Sequence, residues 1–485
     1  MIYRSRRRHR SFQISMPSLL GSHNTDADDD VLHITIIGAG IAGLTCALAL
    51  RRTNPAAKIT LLEKSAFDKH KETGAALYVA PNCSDHLLRL GWNPKSSGSN
   101  KCEGFISVNG PTGAVLKQMN LGFADEKWRG QDGRDRPWFL SHRVDLHHEL
   151  RRLATDESGE VPGKAAALHC SIVVKHIDTE SGTVELEDGR TFRSDVVIGA
   201  DGNASTSRRF VDPSARLKSF DKSCYRFLVE RQRLLDDPET RMLVEEDGYF
   251  ADVTAPDRKF VIYPCRENKY VNFACFSPDE IEGTGNGKRR MILFQITAVV
   301  NEWSDWDQMG SKAKLEKSFD SFWPPGRKAL SYAGDDLKVW QMMDADPLKS
   351  LVNGRLALIG DAAHPFLPYQ LFANSTGPVL GQGAAQAMED GVSIAVLLQK
   401  GTKSSEMKPL VKLYDQIRRE RVNYIQEKTR INGRDEGKGR MTPDELFGML
   451  DFCYVHDEWA NTSKHLTTWR DNAKKVNSHP VAAEA

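Results

Sequence analysis

The sequence predicts an α/β fold, and three observations carry that reading. A strand (Val31 to Ile37), a glycine turn, a helix (Ile41 to Arg52) and a second strand (Lys58 to Glu63) form one βαβ unit at the start of the ordered chain. Two further short apolar strands, Asp195 to Gly199 and Leu356 to Ile359, each empty into a glycine-bearing turn far along the sequence. Between them lie alternating aromatic runs (Tyr225 to Val229, Phe260 to Tyr263, Tyr270 to Phe276) that read as β structure inserted into a Rossmann-like, nucleotide-binding domain. Ser171 to Asp195 reads as a small antiparallel excursion whose strands include Ile172-Val173-Val174 and Val184-Glu185-Leu186, with a hairpin turn at Asp188-Gly189. Beyond Ala384 helical spacing dominates, over Ala384 to Leu398, Leu410 to Lys428 and Asp444 to Val455.

Composition bounds the function. The chain has 485 residues, enough for two or three domains, and its 40% hydrophobic and 27% charged residues are ordinary globular values. Lys plus Arg total 66 against 65 Asp plus Glu, so no global charge favours nucleic acid or an anionic membrane, and neither is expected as a partner. Eight scattered cysteines without a CxxC pair or a Cys/His cluster fit a reducing, cytoplasmic setting with neither disulfides nor a metal. The apolar stretch Val31 to Leu50 contains His33, three glycines and two threonines, and is better explained by the βαβ unit than by a membrane span. Residues 1–30 carry five arginines and then four acids, and are expected to be a disordered, solvated tail.

Gly38-Ala39-Gly40-Ile41-Ala42-Gly43 follows a strand and opens a helix, the context in which a GxGxxG string is informative. Gly38 permits the tight turn, Gly40 lets a diphosphate approach the backbone, and Gly43 allows close helix-to-strand packing. The helix N-terminus adds about half a positive charge. Glu63 ends the next strand, 20 residues after Gly43, where a carboxylate accepts from adenosine ribose hydroxyls and repels a 2′-phosphate. The resident ligand is therefore FAD or NAD and not NADP. Asp201, in DGNASTSR, and Asp361, in GDAAHP, place further carboxylates at the ends of buried strands. FAD, whose ribityl chain needs partners beyond the diphosphate, is the better match.

With these motifs the sequence resembles the single-component FAD-dependent aromatic monooxygenases, nearest to the salicylate hydroxylase-like branch, many of which serve fungal secondary metabolism. The resemblance runs from about His33 to Trp459. It rests on GAGIAG, HRVDL (His142 to Leu146), DGxxSxxR (Asp201 to Arg208), YRFLV from Tyr225, YPCR from Tyr263, KVWQ from Lys338, and GDAAHPFLPYQ from Gly360. It implies that Glu63 holds the adenosine ribose, that Arg143 lies against the ribityl and phosphate region, and that Asp201 serves both FAD and transient NAD(P)H. Asp361 would meet the ribityl or diphosphate end, with Pro365 and a structural His364 in the flavin loop. Gly381 and Gly383 would open a helix aimed at the flavin pyrimidine ring.

No second GxGxxG unit exists, so NAD(P)H is expected to visit and leave as co-substrate. The implied reaction is hydroxylation of a small aromatic or phenolic molecule with NAD(P)H and O2 through a flavin C4a-hydroperoxide. Arg226 and Tyr263 are the candidate substrate-activating residues, joined by Arg266 and by Lys259, which stands where relatives that hydroxylate simple benzoates often carry His. Two departures from the family pattern stand out. Leu371 to Leu380 separates Gln370 from Gly381, and Gly283 to Val300 lengthens another connection; each is either a real elaboration or a translated intron. The alternatives to a monooxygenase are an FAD oxidase or dehydrogenase without oxygen transfer, and a degenerate flavin-binding protein. The expected division is a discontinuous FAD-binding domain (31–104, 139–212, 345–400), a substrate domain (105–138, 213–344) and C-terminal helices (401–485).

Overall fold

The computed structural model describes residues 31–67, 76–122, 128, 133–278, 308–334, 337–367, 381–432 and 441–478. The tail 1–30 and the segments 283–300 and 371–380, together with Pro368 to Gln370, lie outside the described residues.

The first sheet has six strands in the spatial order Val352–Asn353, Leu356–Leu358, Val196–Gly199, His33–Ile37, Lys58–Leu62, Ala167–His169. All its pairings are parallel except the first, a hairpin at the edge. Its central strands are buried on both faces, as a parallel sheet covered by helices must be, so they read as continuous apolar runs. The helix Ile41–Thr53 packs against the helices Arg143–Thr155 and Gln382–Leu397. The three expected strands thus lie side by side, although about 160 residues separate each from the next in sequence.

The excursion after Ser171 is a three-stranded antiparallel sheet, Val174–Asp178, Thr183–Leu186 and Thr191–Arg193, with Gly189 at φ +85° in the hairpin turn. Ile172 and Val173, expected in its first strand, precede it: Ser171 sits at φ +57°, which breaks the extended run until Val174.

The inserted β structure is an eight-stranded sheet ordered Gln308–Met309, Lys338–Ala345, Leu217–Glu230, Tyr270–Pro278, Lys259–Cys265, Tyr249–Thr254, Gly104–Asn109, Val115–Asn120. Side chains alternate cleanly between its faces. Tyr225, Phe227, Val229, Phe260, Ile262, Phe273 and Cys275 enter a core of its own with Phe319, Phe322 and Leu330. Cys224, Phe250, Val261, Tyr263, Ala274, Phe276 and Met342 join the core shared with the six-stranded sheet. That second face is where the two sheets meet.

Of the C-terminal helices Met407–Asn432, Pro443–Tyr454 and Glu458–Ser478, the first and third pack on the helix Gln382–Leu397 and the second on the helix Pro81–Arg89. Thr442 and Glu445 form a reciprocal capping box that fixes the start of the second. They are tied in by a buried ionic cluster: Arg418 donates to Asp390 Oδ1 (2.8 Å), Glu389 Oε2 (2.7 Å), Glu458 Oε2 (2.8 Å) and Gln386 Oε1 (2.7 Å). Arg421 donates to both Glu389 oxygens. All eight cysteines are unpaired thiols, and no described helix is long and apolar enough to cross a membrane.

Candidate active site

At the carboxyl end of strand His33–Ile37, Gly38 adopts φ +101°, and a Cβ there would lie 2.4 Å from the Ala200 carbonyl oxygen. A Cβ on Gly43 would lie 2.0 Å from the Gly38 carbonyl oxygen, so the helix can sit this close only with glycine. Gly40 differs: a Cβ there would meet nothing within 4 Å. The helix it precedes has no side-chain cap and no acid in its first turn, which leaves its first N–H groups for an anion from outside. Glu63 sits beside this loop, with Oε2 accepting from Ala39 N (2.8 Å) and Oε1 from Ser65 N (2.7 Å). His147 Nε2 lies 2.8 Å from the Ala39 carbonyl and ties the loop to the helix Arg143–Thr155.

The two other strand-end motifs are joined by Arg208, which is buried and bonds only backbone carbonyls: Ala362 (2.8 Å), Asn203 (2.9 Å), Gly202 (3.4 Å) and Asp361. Asp201 turns both oxygens onto its own loop, accepting from Ser205 Oγ, Ser207 N and Ser207 Oγ. Asp361 is solvent-accessible yet ringed by protein, the mark of a crevice floor. Desolvation pushes its carboxyl up, while His364, Arg208 and Arg143 pull the other way. Arg143, exposed at the start of its helix, therefore shares this crevice with Asp361. His364 is buried with Nε2 2.6 Å from Asp390 Oδ2, and the same oxygen accepts from Gly360 N, so this nitrogen braces the loop, while Nδ1 is buried without a hydrogen-bond partner. Pro365 is buried, its carbonyl accepting from Gln426 Nε2 (2.8 Å).

Gly381 caps the helix Gln382–Leu397 at φ +39°, and a Cβ on it would fall 1.6 Å from the Tyr78 hydroxyl. Gly383 lies beside Phe366 in the helix's first turn. The Tyr78 hydroxyl is buried without a hydrogen-bond partner, an orphaned polar atom at the mouth of a helix that carries no acid in its first turn. Asn82, Gln382 and Glu389 form a buried chain beneath it. The space above Gly40, the uncapped helix start, the crevice at Asp361 and the Tyr78 orphan fit a long ligand with an anionic middle and a polar far end.

Opposite this opening lies the shared face of the eight-stranded sheet. Tyr263 stacks on Phe250 (5.1 Å, 15° between planes) and donates its hydroxyl to the Ala76 carbonyl (2.7 Å). Burial pushes its phenol well above the usual range, so it is a neutral hydrogen-bond donor and not a base. Arg226 stands over the Trp340 ring (5.2 Å) with Nε 3.5 Å from Cys224 Sγ. Lys259, only 5% exposed, lies 5.8 Å from the Phe276 ring centre. The fold brings Arg226, Tyr263 and Lys259 onto one face. Arg266 does not join them: Cys265 ends the strand, and Arg266 falls in the following turn, held bidentately by Asp145 (2.6 and 2.8 Å). Sequence reasoning missed Tyr78 and Trp138, which with Phe105 and Phe250 line a small apolar void of about 10 Å³. Two groups of acids and His converge among the described residues, Asp85/His86/Asp457 and Glu389/His456/Glu458, but arginines already supply the counter-charge at both.

Comparison with known proteins agrees with this geometry. The family described as "FAD binding domain" matches residues 173–429, and that described as "NAD(P)-binding Rossmann-like domain" matches residues 36–74. Hispidin-3-hydroxylase of Neonothopanus nambi is 32% identical over 412 residues, covering 82% of this chain and 87% of that protein. The FAD-dependent monooxygenase cfoG of Aspergillus candidus is 31% identical over 401 residues, covering 81% and 84%. Among solved structures, a salicylate hydroxylase substrate complex superposes with a TM-score of 0.65 at 21% identity, covering 90% of this chain and 98% of that one, and so shares the fold. With a dinucleotide-binding turn, three strand ends converging on one crevice and relatives matched over most of their length, this chain belongs to the FAD-dependent monooxygenases.

Proposed function

We propose that the enzyme hydroxylates an aromatic, phenolic small molecule held between the Gly381 end of the Gln382–Leu397 helix and the shared face of the eight-stranded sheet. One observation carries this reading. That face presents Phe105, Phe250 and Tyr263, against which Tyr78 and Trp138 pack to complete an aromatic wall, together with two cationic side chains, Arg226 and Lys259, set over aromatic rings. An aromatic ring gains from such a wall, and a phenol gains from nearby cations because its ionised form is the better nucleophile. The names of the hispidin and salicylate hydroxylases support an aromatic substrate.

FAD, when bound, takes electrons from NAD(P)H and activates O2. The chain's own tasks are to bind, orient and exclude water. In this reading Gly38, Gly40 and Gly43 admit the diphosphate to the helix start, Glu63 takes the adenosine ribose, and Arg143 and Asp361 meet the phosphate and ribityl region. Asp201 and Arg208 hold the crevice floor in shape, Pro365 sets the course of its loop, and Gly381 and Gly383 leave room at the far end. Tyr263, whose hydroxyl proton is held by the Ala76 carbonyl, offers its hydroxyl oxygen as an acceptor, and Arg226 holds the anionic oxygen of the substrate. Segments 31–104, 139–212 and 345–400 form the cofactor domain, 105–138 and 213–344 the substrate domain, and 401–485 the helical closure.

The test is a purified holoenzyme given NADPH or NADH, O2 and a panel of phenols. Substrate-dependent nucleotide consumption with a product one oxygen atom heavier is expected. Nucleotide consumption that yields only peroxide with every phenol would instead favour an oxidase.

A further inference from the structure

A second concavity lies outside the crevice. It is an open groove of about 500 Å³ between the helix Arg143–Thr155, the loop at Lys95 to Gly98 and the turn at Arg266 to Lys269. Its long wall is the helix face bearing Asp145, Glu149 and Arg152, a run of about 10 Å at 1.5 Å per residue. It starts two residues from Arg143, which shares the crevice with Asp361.

The turn is built rigidly. Arg266, Glu267 and Asn268 are three consecutive non-glycine residues in the left-handed region, at φ +50°, +57° and +61°. They are held there by Glu267 N donating to the Gly98 carbonyl (3.0 Å), by a reciprocal pair between Asn100 and Asn268 (3.0 and 3.2 Å), and by the Arg266–Asp145 fork. The turn thus presents a preformed rim that costs little to order on binding.

The lining chemistry is mixed in an informative way. Lys95, Arg152, Arg266 and Lys269 bring four positive charges against three from Asp145, Glu149 and Glu267, and they are paired at rest: Arg152 with Glu149 and Glu160, Arg266 with Asp145, Lys269 with Glu267, while Arg266 also stands over the Tyr270 ring. A site for a bare phosphate would not carry three carboxylates. A nucleoside phosphate uses all three groups by exchanging these partly exposed, weak pairs: cations for phosphate, carboxylates for ribose hydroxyls, a ring for the base. The chain has one glycine-rich dinucleotide turn, which its resident FAD occupies, so the visiting nucleotide must dock elsewhere.

We infer that this groove binds the adenosine-phosphate half of the nicotinamide dinucleotide that reduces the enzyme; the inference rests on the monooxygenase reading above. The dinucleotide then passes the start of the Arg143–Thr155 helix to reach the crevice.

The test uses the holoenzyme of Lys95→Glu/Lys269→Glu, both exposed positions. NADP⁺ and NAD⁺ are titrated calorimetrically as unreactive probes, and anaerobic flavin bleaching by NADPH and NADH is followed in rapid mixing. Dissociation constants and half-saturating concentrations for the preferred nucleotide should rise tenfold or more, with flavin content and limiting bleaching rate within twofold of the parent. Tyr270→Leu should weaken binding severalfold in the same assays. Unchanged dissociation constants in both variants overturn the inference, as does a fall in limiting rate at unchanged affinity. If the parent holoenzyme is bleached by neither nucleotide, the monooxygenase reading fails instead, which is a separate result.

Discussion

The two large sheets build their halves of the site by different physics. The six-stranded parallel sheet works through its strand ends, where backbone sterics decide: Gly38 and Gly43 are fixed by atoms 2.4 and 2.0 Å from where a Cβ would stand. The eight-stranded sheet works through one face, where alternation decides, so Arg226 and Tyr263 lie on the face shared with the six-stranded sheet while their neighbours Tyr225 and Ile262 enter the other core. At Gly38 and Gly43 the first half tolerates no side chain at all. The second can exchange side chains while keeping its backbone, which is how one scaffold serves many substrates.

The sharpest break of this contrast is Gly43→Ala. Its Cβ would meet backbone, which cannot rotate away, so we expect a loss above about 4 kcal/mol and little folded, flavin-containing protein. Flavin absorbance per milligram and thermal melting check this.

Arg418→Met removes the shared cation of a buried cluster. It should cost about 3–5 kcal/mol because Glu389, Asp390 and Glu458 keep only Arg421 as a fixed counter-charge. The parent protein carries a matching pH signature. Burial opposes ionisation of Glu389, but Arg421 and Arg418 outweigh it; burial likewise opposes Asp390, and His364 and Arg418 outweigh it, so both carboxyls lie below their ordinary 4.5 and 3.8. Carboxyls lowered in the folded state give their full stabilisation above the ordinary range and lose it as pH falls through the depressed values. Denaturant melts should therefore show this contribution constant from neutrality to about pH 5 and declining below it. A decline setting in above pH 6 would contradict the cluster's role.

Gly40→Ala sharpens the comparison inside one motif. Gly40 has φ −76° and open space, so flavin-free protein should melt as the parent does, while FAD affinity falls about tenfold, or 1.4 kcal/mol, because the methyl fills the approach of the diphosphate. An equal loss of stability in the flavin-free form would show that Gly40 serves packing alone.

The smallest effect belongs to the substrate face. Tyr263→Phe leaves the Ala76 carbonyl without its donor, at about 1–2 kcal/mol, and keeps the stack on Phe250. Flavin content should be unchanged, with the limiting hydroxylation rate lowered more than the nucleotide KM. A variant equal to the parent in rate would reduce Tyr263 to a tie between the sheets.

Much of the cofactor half was legible in the sequence because its signals are local. A glycine turn between a strand and a helix, and a carboxylate after the next strand, need only neighbouring residues to be recognised, and these are the features the fold places together. Arg208 and His364 carry weaker signals: their partners, the Asp361 and Ala362 carbonyls and the Asp390 carboxylate, lie 26 to 154 residues away. Tyr78 and Trp138 carried no signal at all, since an aromatic residue in or just before a short strand reads as core wherever it points.

The sequence by itself determined the backbone-dictated part of this protein: the βαβ unit, the glycine positions, the three buried strands and the alternating inserted sheet. All follow from sterics and from periods of 2 and 3.6 residues, which act over a few residues. Only the tertiary structure decided which face of the eight-stranded sheet packs on the six-stranded one, that Arg226, Lys259 and Tyr263 share it, and that Arg266 is carried past the end of its strand to Asp145. Periodicity says that side chains alternate, but register and packing between distant segments set which alternate faces inward, and a one-residue shift would exchange them.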